Sequence, residues 1–188
     1  SPFGRKVKIV SIVQEIDLEE KIINVYEADF LDKSNPLRKI PTLLINNLSI
    51  IDSDNICLYF DSITKKNTLF PIGKYWQIMS YTSIANGLME AVLERFMEIS
   101  RSEGEKSSKF IEKLETRTFR TIYWLEKNLN NFNDNNITMD KIAIACALEY
   151  TMFRFTNIWQ KENLNLYNWL EKFNKNSFMK LTKPKIPL

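Results

Sequence analysis

The chain has 188 residues, 44% of them hydrophobic and 12% aromatic, enough apolar material for one large domain or two small ones. Its net charge of +3 comes from 26 Lys and Arg scattered among 23 Asp and Glu, which gives no reason to invoke nucleic acid. With no histidine and only 4 glycines, a Ser-His-Asp triad, most catalytic zinc sites, an imidazole base and a Gly-rich phosphate loop are all disfavoured.

In chain order, Pro2 to Gln14 opens with a proline and then spaces Phe3, Val7, Val10 and Val13 as a helix does. The weak alternation of Ile22 to Tyr26 predicts a strand. Pro41 to Ile45 and Leu48 to Ile51, separated by Asn46-Asn47, predict a hairpin. Asp52 or Ser53 then caps a helix carrying Ile56, Cys57, Tyr59 and Phe60. The polar run Thr64 to Thr68, punctuated by Pro71 and Gly73, is a linker, and everything after it reads as helix.

The first of these later helices spans 74 to 101. A second buries Phe110, Leu114, Ile122, Leu125 and Leu129. After an Asn-rich loop at Asn128 to Asn136, a third runs from Thr138 to Phe155 and is apolar on every side, which makes it the expected buried centre. Short helices at 164–173 and 177–181 close the chain. Cys57 and Cys146 lie far apart within helical runs and read as small buried hydrophobes, although a single distant disulfide remains compatible with the sequence. No apolar run reaches the roughly 20 residues of a membrane span and no signal-peptide pattern is present, so a cytoplasmic protein without membrane contact is expected.

An α/β layer followed by an all-helical half, with these motifs in this order, resembles the cytosolic glutathione transferases. Ser1-Pro2-Phe3-Gly4-Arg5-Lys6-Val7 looks like the active-site turn of bacterial, omega- and beta-like members. Asn35-Pro36-Leu37-Arg38-Lys39-Ile40-Pro41 is similar to the family's Asn-Pro-x-Gly-Lys-Val-Pro run. Asp52-Ser53 is similar to its acidic-Ser pair, and Thr138 with Ile142 to Ala145 resembles its buried capped helix. The resemblance implies a thioredoxin-like glutathione-binding domain at 1–64, a linker at 65–73 and an all-α domain at 74–188.

Three departures stand out. The sequence begins inside the active-site turn and so reads as incomplete at its N-terminus, because removing a central first strand would strip ladder hydrogen bonds from two neighbours. Arg38 replaces a glycine, which predicts a different backbone angle before Pro41. Lys141 stands where the family's capping Asp belongs, with Asp140 one residue earlier, which predicts a weakened cap on a helix that still forms.

The resemblance also implies the chemistry. Ser1 is the catalytic candidate: a free thiol with pKa near 8.5 is only a few per cent ionised at pH 7, and a hydroxyl aimed at sulfur favours the thiolate. Glutathione contacts fall on Phe3, Lys39, Ile40, Pro41, Asp52 and Ser53. Ser53 and the free helix amides suit the γ-glutamyl carboxylate, Asp52 suits its ammonium, Lys39 suits the glycine carboxylate, and a cis Ile40–Pro41 bond presents backbone to the peptide. Taken alone, Lys39 is a surface lysine and Asp52-Ser53 an ordinary cap. Tyr75, Trp76 and Met79 are expected to line an electrophile pocket, an aromatic stripe that reads equally well as packing.

The function implied is conjugation of glutathione to small hydrophobic electrophiles, or glutathione-dependent peroxide reduction, by a homodimer without metal. Serine in place of a catalytic cysteine weighs against thiol transfer. The rival is a non-catalytic interaction module similar to stringent starvation protein A.

Overall fold

The computed structural model describes residues 1–25, 27–64, 68–155 and 159–184. The chain opens on helix α1 (Pro2–Val13), whose N-cap Ser1 accepts a hydrogen bond from the Gly4 N–H at 3.3 Å. Proline at the first helical position loses no backbone bond there. After irregular chain and a 3₁₀ turn at Asp29–Lys33, strands β1 (Thr42–Ile45) and β2 (Leu48–Ile51) form an antiparallel hairpin with Thr42 opposite Ile51 and Ile45 opposite Leu48. Asn46 turns it with φ 51, a left-handed angle that asparagine tolerates. Leu43 and Ile50, opposite each other, pack on the core, while Leu44 on the other face is exposed; Leu48, on the core-side face but next to the turn, is exposed as well. Helix α2 (Ser53–Ile63) follows and lies against α1.

The strand expected at Ile22 to Tyr26 does not form. Residues 21–24 are irregular, and Tyr26 lies outside the described residues. The sheet has two strands, β1 and β2, paired with each other. A strand exists only through its ladder, and Ile22, 90% exposed, has no core to face. Residues 65–67 of the expected linker also lie outside the described residues.

The helical half comprises α3 (Tyr75–Ile99), α4 (Ser108–Lys127), α5 (Met139–Arg154), α6 (Leu164–Phe173) and α7 (Ser177–Leu181). Helix α5 packs against α3, α1 and α6, and every residue from Met139 to Leu148 is buried, which its all-round apolar sequence demands. No helix among the described residues is long and apolar enough to cross a membrane.

The start of α5 is held in an unusual way. The Thr138 hydroxyl donates to the Asp140 carboxylate instead of accepting from the helix, so Thr138 makes no side-chain cap bond. In its place the Met139 N–H donates to the Leu69 carbonyl at 3.1 Å. Lys141, also buried, reaches back to the Asn136 carbonyl at 2.6 Å and to the Asp134 carboxylate. The cap is weakened as expected, and a lysine strap with a bond to Leu69, two residues before Pro71, replaces it.

The two halves meet at a buried ammonium. Lys6, 0% exposed, forms an ion pair with Asp54 in the first turn of α2 and donates to the Asn86 side-chain oxygen at 2.8 Å. Asn86 in turn donates to the other Asp54 oxygen at 2.7 Å. This triangle ties α1, α2 and α3 together.

Asp54→Asn leaves the Lys6 charge buried without a counter-charge, and should destabilise the fold by about 3–5 kcal/mol. A Lys6→Met/Asp54→Asn double variant should recover much of that loss. Urea midpoints test both, and an Asp54→Asn midpoint within error of the parent would show that the Lys6 ammonium does not depend on Asp54.

Asp134 gives a pH dependence. Burial pushes its carboxyl up, but hydrogen bonds from Lys141 and Asn136 and the Lys141 charge outweigh it and hold it at about 2, below its ordinary 3.8. A depressed carboxylate stabilises above its unfolded pKa and loses that contribution as pH falls toward the folded value. The melting-temperature deficit of Asp134→Asn should therefore be largest near neutrality and narrow as the pH drops from 6 to 3. A deficit that does not change with pH would remove the strap's ionic part.

Candidate functional site

Three pieces of backbone converge on one corner. Lys6 fastens the second turn of α1 to the first turn of α2, which brings the N-termini of both helices to the same side. Pairing of Thr42 with Ile51 sets Ile40–Pro41 beside Asp52–Ser53 at the open end of the hairpin. Arg5, 8% exposed, pairs with Glu149 of α5 and donates to the Thr182 hydroxyl and the Met179 carbonyl, each at 3.3 Å, so the start of α1 is anchored from below.

Ser1 is exposed at this corner. Its oxygen accepts the Gly4 N–H, which leaves the hydroxyl proton free for an outside acceptor. Asp52 caps α2 by accepting from the Asp54 N–H at 2.8 Å, and does so at φ 72 and ψ 131. A non-glycine residue there costs about 1–3 kcal/mol, a strain of the kind stored at ligand sites. Ser53 is 5% exposed, and its hydroxyl makes no hydrogen bond among the described residues. Its helix start carries free amides and the positive end of the helix dipole.

The Ile40–Pro41 bond is cis. The loop before it is braced by Asn35, 2% exposed, whose amide donates to the Lys39 carbonyl at 2.8 Å and to Thr42 Oγ1 at 3.0 Å. The backbone N–H and C=O of Ile40 make no hydrogen bond among the described residues, and Lys39 is exposed beside them. The Arg38 departure resolves simply. Arg38 keeps a glycine-like angle, φ 48, and its guanidinium holds Asp29 at 2.9 Å and Asp32 at 2.7 Å. The left-handed angle is carried by a residue with a side chain, and an ion pair braces it. Phe3 is half-buried against the core, with the Lys6 ammonium 5.9 Å from its ring centre.

The cysteines are not nucleophiles. Burial pushes the Cys146 thiol up to about 11 and Cys57 further in the same direction, so both stay protonated.

Tyr75, Trp76 and Met79 do not join the corner. Gln14, at the far end of α1, bonds Asp61, which accepts the Leu69 N–H, and Leu69 bonds Met139. The start of α3 therefore lies at the Gln14 end of α1, while Ser1 lies at the other. Tyr75 packs on Phe70 and Trp76, and Trp76 is 79% exposed. The α3 residue that reaches the last turn of α5 is Phe96, about 31 Å along the helix from Tyr75. The sequence shows that α3 is aromatic at both ends, but not which end faces Ser1. At the Ser1 end stand Phe96, Tyr150 and Arg154, none of which the sequence singles out as a site residue. Their only sequence signal is a cation closing an otherwise apolar helix.

An α/β layer with a hairpin, an acidic-Ser helix start and a helical half built around one buried helix defines the glutathione-transferase class of fold. Residues 1–68 match the family model described as glutathione S-transferase, N-terminal domain. The structure is similar to a glutathione S-transferase from Methylobacillus flagellatus with glutathione bound, at 26% identity, covering 98% of this chain and 96% of that one, with a TM-score of 0.92. A glutathione transferase family member from Pseudomonas fluorescens with bound glutathione is 24% identical, covers 99% and 96%, and has a TM-score of 0.91. A glutathione S-transferase from Methylobacterium radiotolerans in complex with glutathione sulfonate is 20% identical, covers 100% and 92%, and also has a TM-score of 0.91. No curated protein matches the chain in sequence. Residues 1–68 thus match the N-terminal domain of that family by sequence, and the whole chain has the fold of these glutathione transferases.

Proposed function

We propose that this protein is a catalytic glutathione transferase, a cytoplasmic homodimer that joins the glutathione thiolate to small hydrophobic electrophiles without a metal. Residues 1–64 hold glutathione, residues 74–188 form the helical unit and 65–73 join them. The observation that carries the reading is the convergence of Ser1, the unpaired Ile40 backbone and Asp52-Ser53 on one corner. A tripeptide with an anionic γ-glutamyl end, a peptide middle and a thiol needs those three kinds of contact in that order.

Each group has a role. The Ser53 hydroxyl and the amides at the start of α2 receive the γ-glutamyl carboxylate, with Asp52 against its ammonium. Ile40 pairs with the ligand's backbone by strand addition, next to Pro41 and the braced loop. Lys39, exposed beside Ile40, meets the glycine carboxylate as a point charge. Ser1 donates its hydroxyl proton to the sulfur at the positive end of α1, and Phe3 shields that end of the site. Lowering the thiol pKa by two units corresponds to roughly 2.7 kcal/mol of differential stabilisation. The same thiolate serves for attack on a peroxide oxygen.

Ser1→Ala should lower turnover with a model electrophile by about tenfold to a thousandfold, the effect of losing one positioned donor. Steady-state kinetics decide this, and unchanged turnover would end the thiolate role. Ser53→Ala should weaken glutathione binding by about 1–3 kcal/mol in a calorimetric titration. An unchanged dissociation constant would move the γ-glutamyl site elsewhere, and no glutathione binding by the parent chain would favour the interaction-module reading.

A further inference from the structure

Arg154 closes α5 at the end of the molecule that carries Ser1. The Ser1 carbonyl accepts from the Arg5 N–H at 3.1 Å, and Arg5 pairs with Glu149, in the last two turns of α5. Arg154 follows Glu149 by five residues on α5, toward the same end of the molecule.

Three rings from two helices hold the guanidinium. Its central carbon lies 3.7 Å from the Phe96 ring centre, 4.8 Å from Phe153 and 5.5 Å from Tyr150. Such stacking fixes the plane of the group and leaves its in-plane N–H donors unspent.

Among the described residues those donors have no partner. Arg117 and Arg120 on α4 have neither an ion pair nor a ring cage among the described residues, while Arg5, Arg38, Arg95 and Arg101 each pair with a carboxylate. Arg95 does so while stacking on Phe155 at 4.0 Å, so an aromatic contact does not replace a counter-charge elsewhere in this protein. Arg154 forms no ion pair or hydrogen bond among the described residues, and its Nε is buried without a partner. A half-buried guanidinium in a fixed plane, without an anion among the described residues and at the end of α5 that faces the start of α1, is a receptor for an external one.

We propose that Arg154 docks a carboxylate carried by the electrophile, which makes small electrophiles with an acid group close to the reactive carbon the preferred substrates. This rests on the glutathione site proposed above and names the substrate class of that site. Phe96, Tyr150 and Phe153 supply the apolar wall, and the guanidinium orients the acid so that the reactive carbon faces the sulfur.

Iodoacetate and iodoacetamide form a matched probe pair. With either, the glutathione sulfur bonds to the methylene carbon while the C–I bond breaks and iodide leaves with its electron pair. Each enzymatic kcat/KM is divided by the uncatalysed rate with glutathione. The parent should then favour the acid, and Arg154→Met should lower the acid-to-amide ratio by about tenfold to a hundredfold, the range for a charged hydrogen bond. Arg154→Lys should restore part of it. An unchanged ratio, or equal loss with both probes as expected if Arg154 acts on the thiolate itself, overturns the proposal.

Binding decides the matter should the variants not fold or turnover be too slow to read. The parent should bind S-carboxymethylglutathione at least tenfold more tightly than the corresponding amide, and equal binding overturns the proposal. Glutathione binding with no preference for the acid sinks this inference alone, whereas no glutathione binding at all sinks the proposed function with it.

Discussion

An ammonium group shut away from water cannot be left unpaired, and the Lys6 ammonium, with 0% exposure, dictates much of how this protein is put together. Its partners lie on two different helices: Asp54 in the first turn of α2 and Asn86 in the middle of α3. Satisfying it therefore sets α1 and α2 side by side and pins both to the helical half. The open ends of α1 and α2 then face the same way. A corner with two positive helix ends follows from one buried charge.

The rest of that corner is shaped by groups the fold leaves unsatisfied. Asp52 adopts an angle unfavourable to any side chain, and among the described residues the Ser53 hydroxyl and the Ile40 N–H and C=O have no partner beside an edge strand. Around them the structure is tightly braced. Asn35 fastens the Lys39–Thr42 loop, and Arg38 holds its left-handed angle against Asp29 and Asp32. Free polar groups on a rigid frame are suited to binding a peptide, because little ordering entropy remains to be lost on association.

Helix α5 carries this arrangement through the molecule. Its first turn is strapped by Lys141 to Asp134 and Asn136, its middle is buried, and Glu149 near its end anchors Arg5 at the foot of α1. One rigid helix thus spans from the region after the linker to the ring cage around Arg154. The cage lies at the Ser1 end only because α5 runs antiparallel to α1 and alongside α3.

Much of this was legible in local sequence. Proline after Ser1, Asn46-Asn47 between two apolar runs, and Asp52 before an amphipathic run are short-range signals, and the helix, hairpin and cap they announce are all present. The all-round apolar pattern of Ile142 to Leu148 likewise announced a buried helix. The strand expected at Ile22 was not decided locally, because alternation shows a preference and only a partner strand makes a ladder. Nor could Tyr75 and Phe96 be told apart, since both are aromatic residues on one long helix and their distance from Ser1 depends on which way α3 runs past α1. The sequence by itself determined the helices, the hairpin, the caps and the acidic-Ser motif, because each rests on contacts within a few residues. Which charges are buried, which end of α3 meets the candidate thiolate site and which arginine sits in a ring cage were decided only by tertiary packing, because those depend on residues brought together from distant parts of the chain.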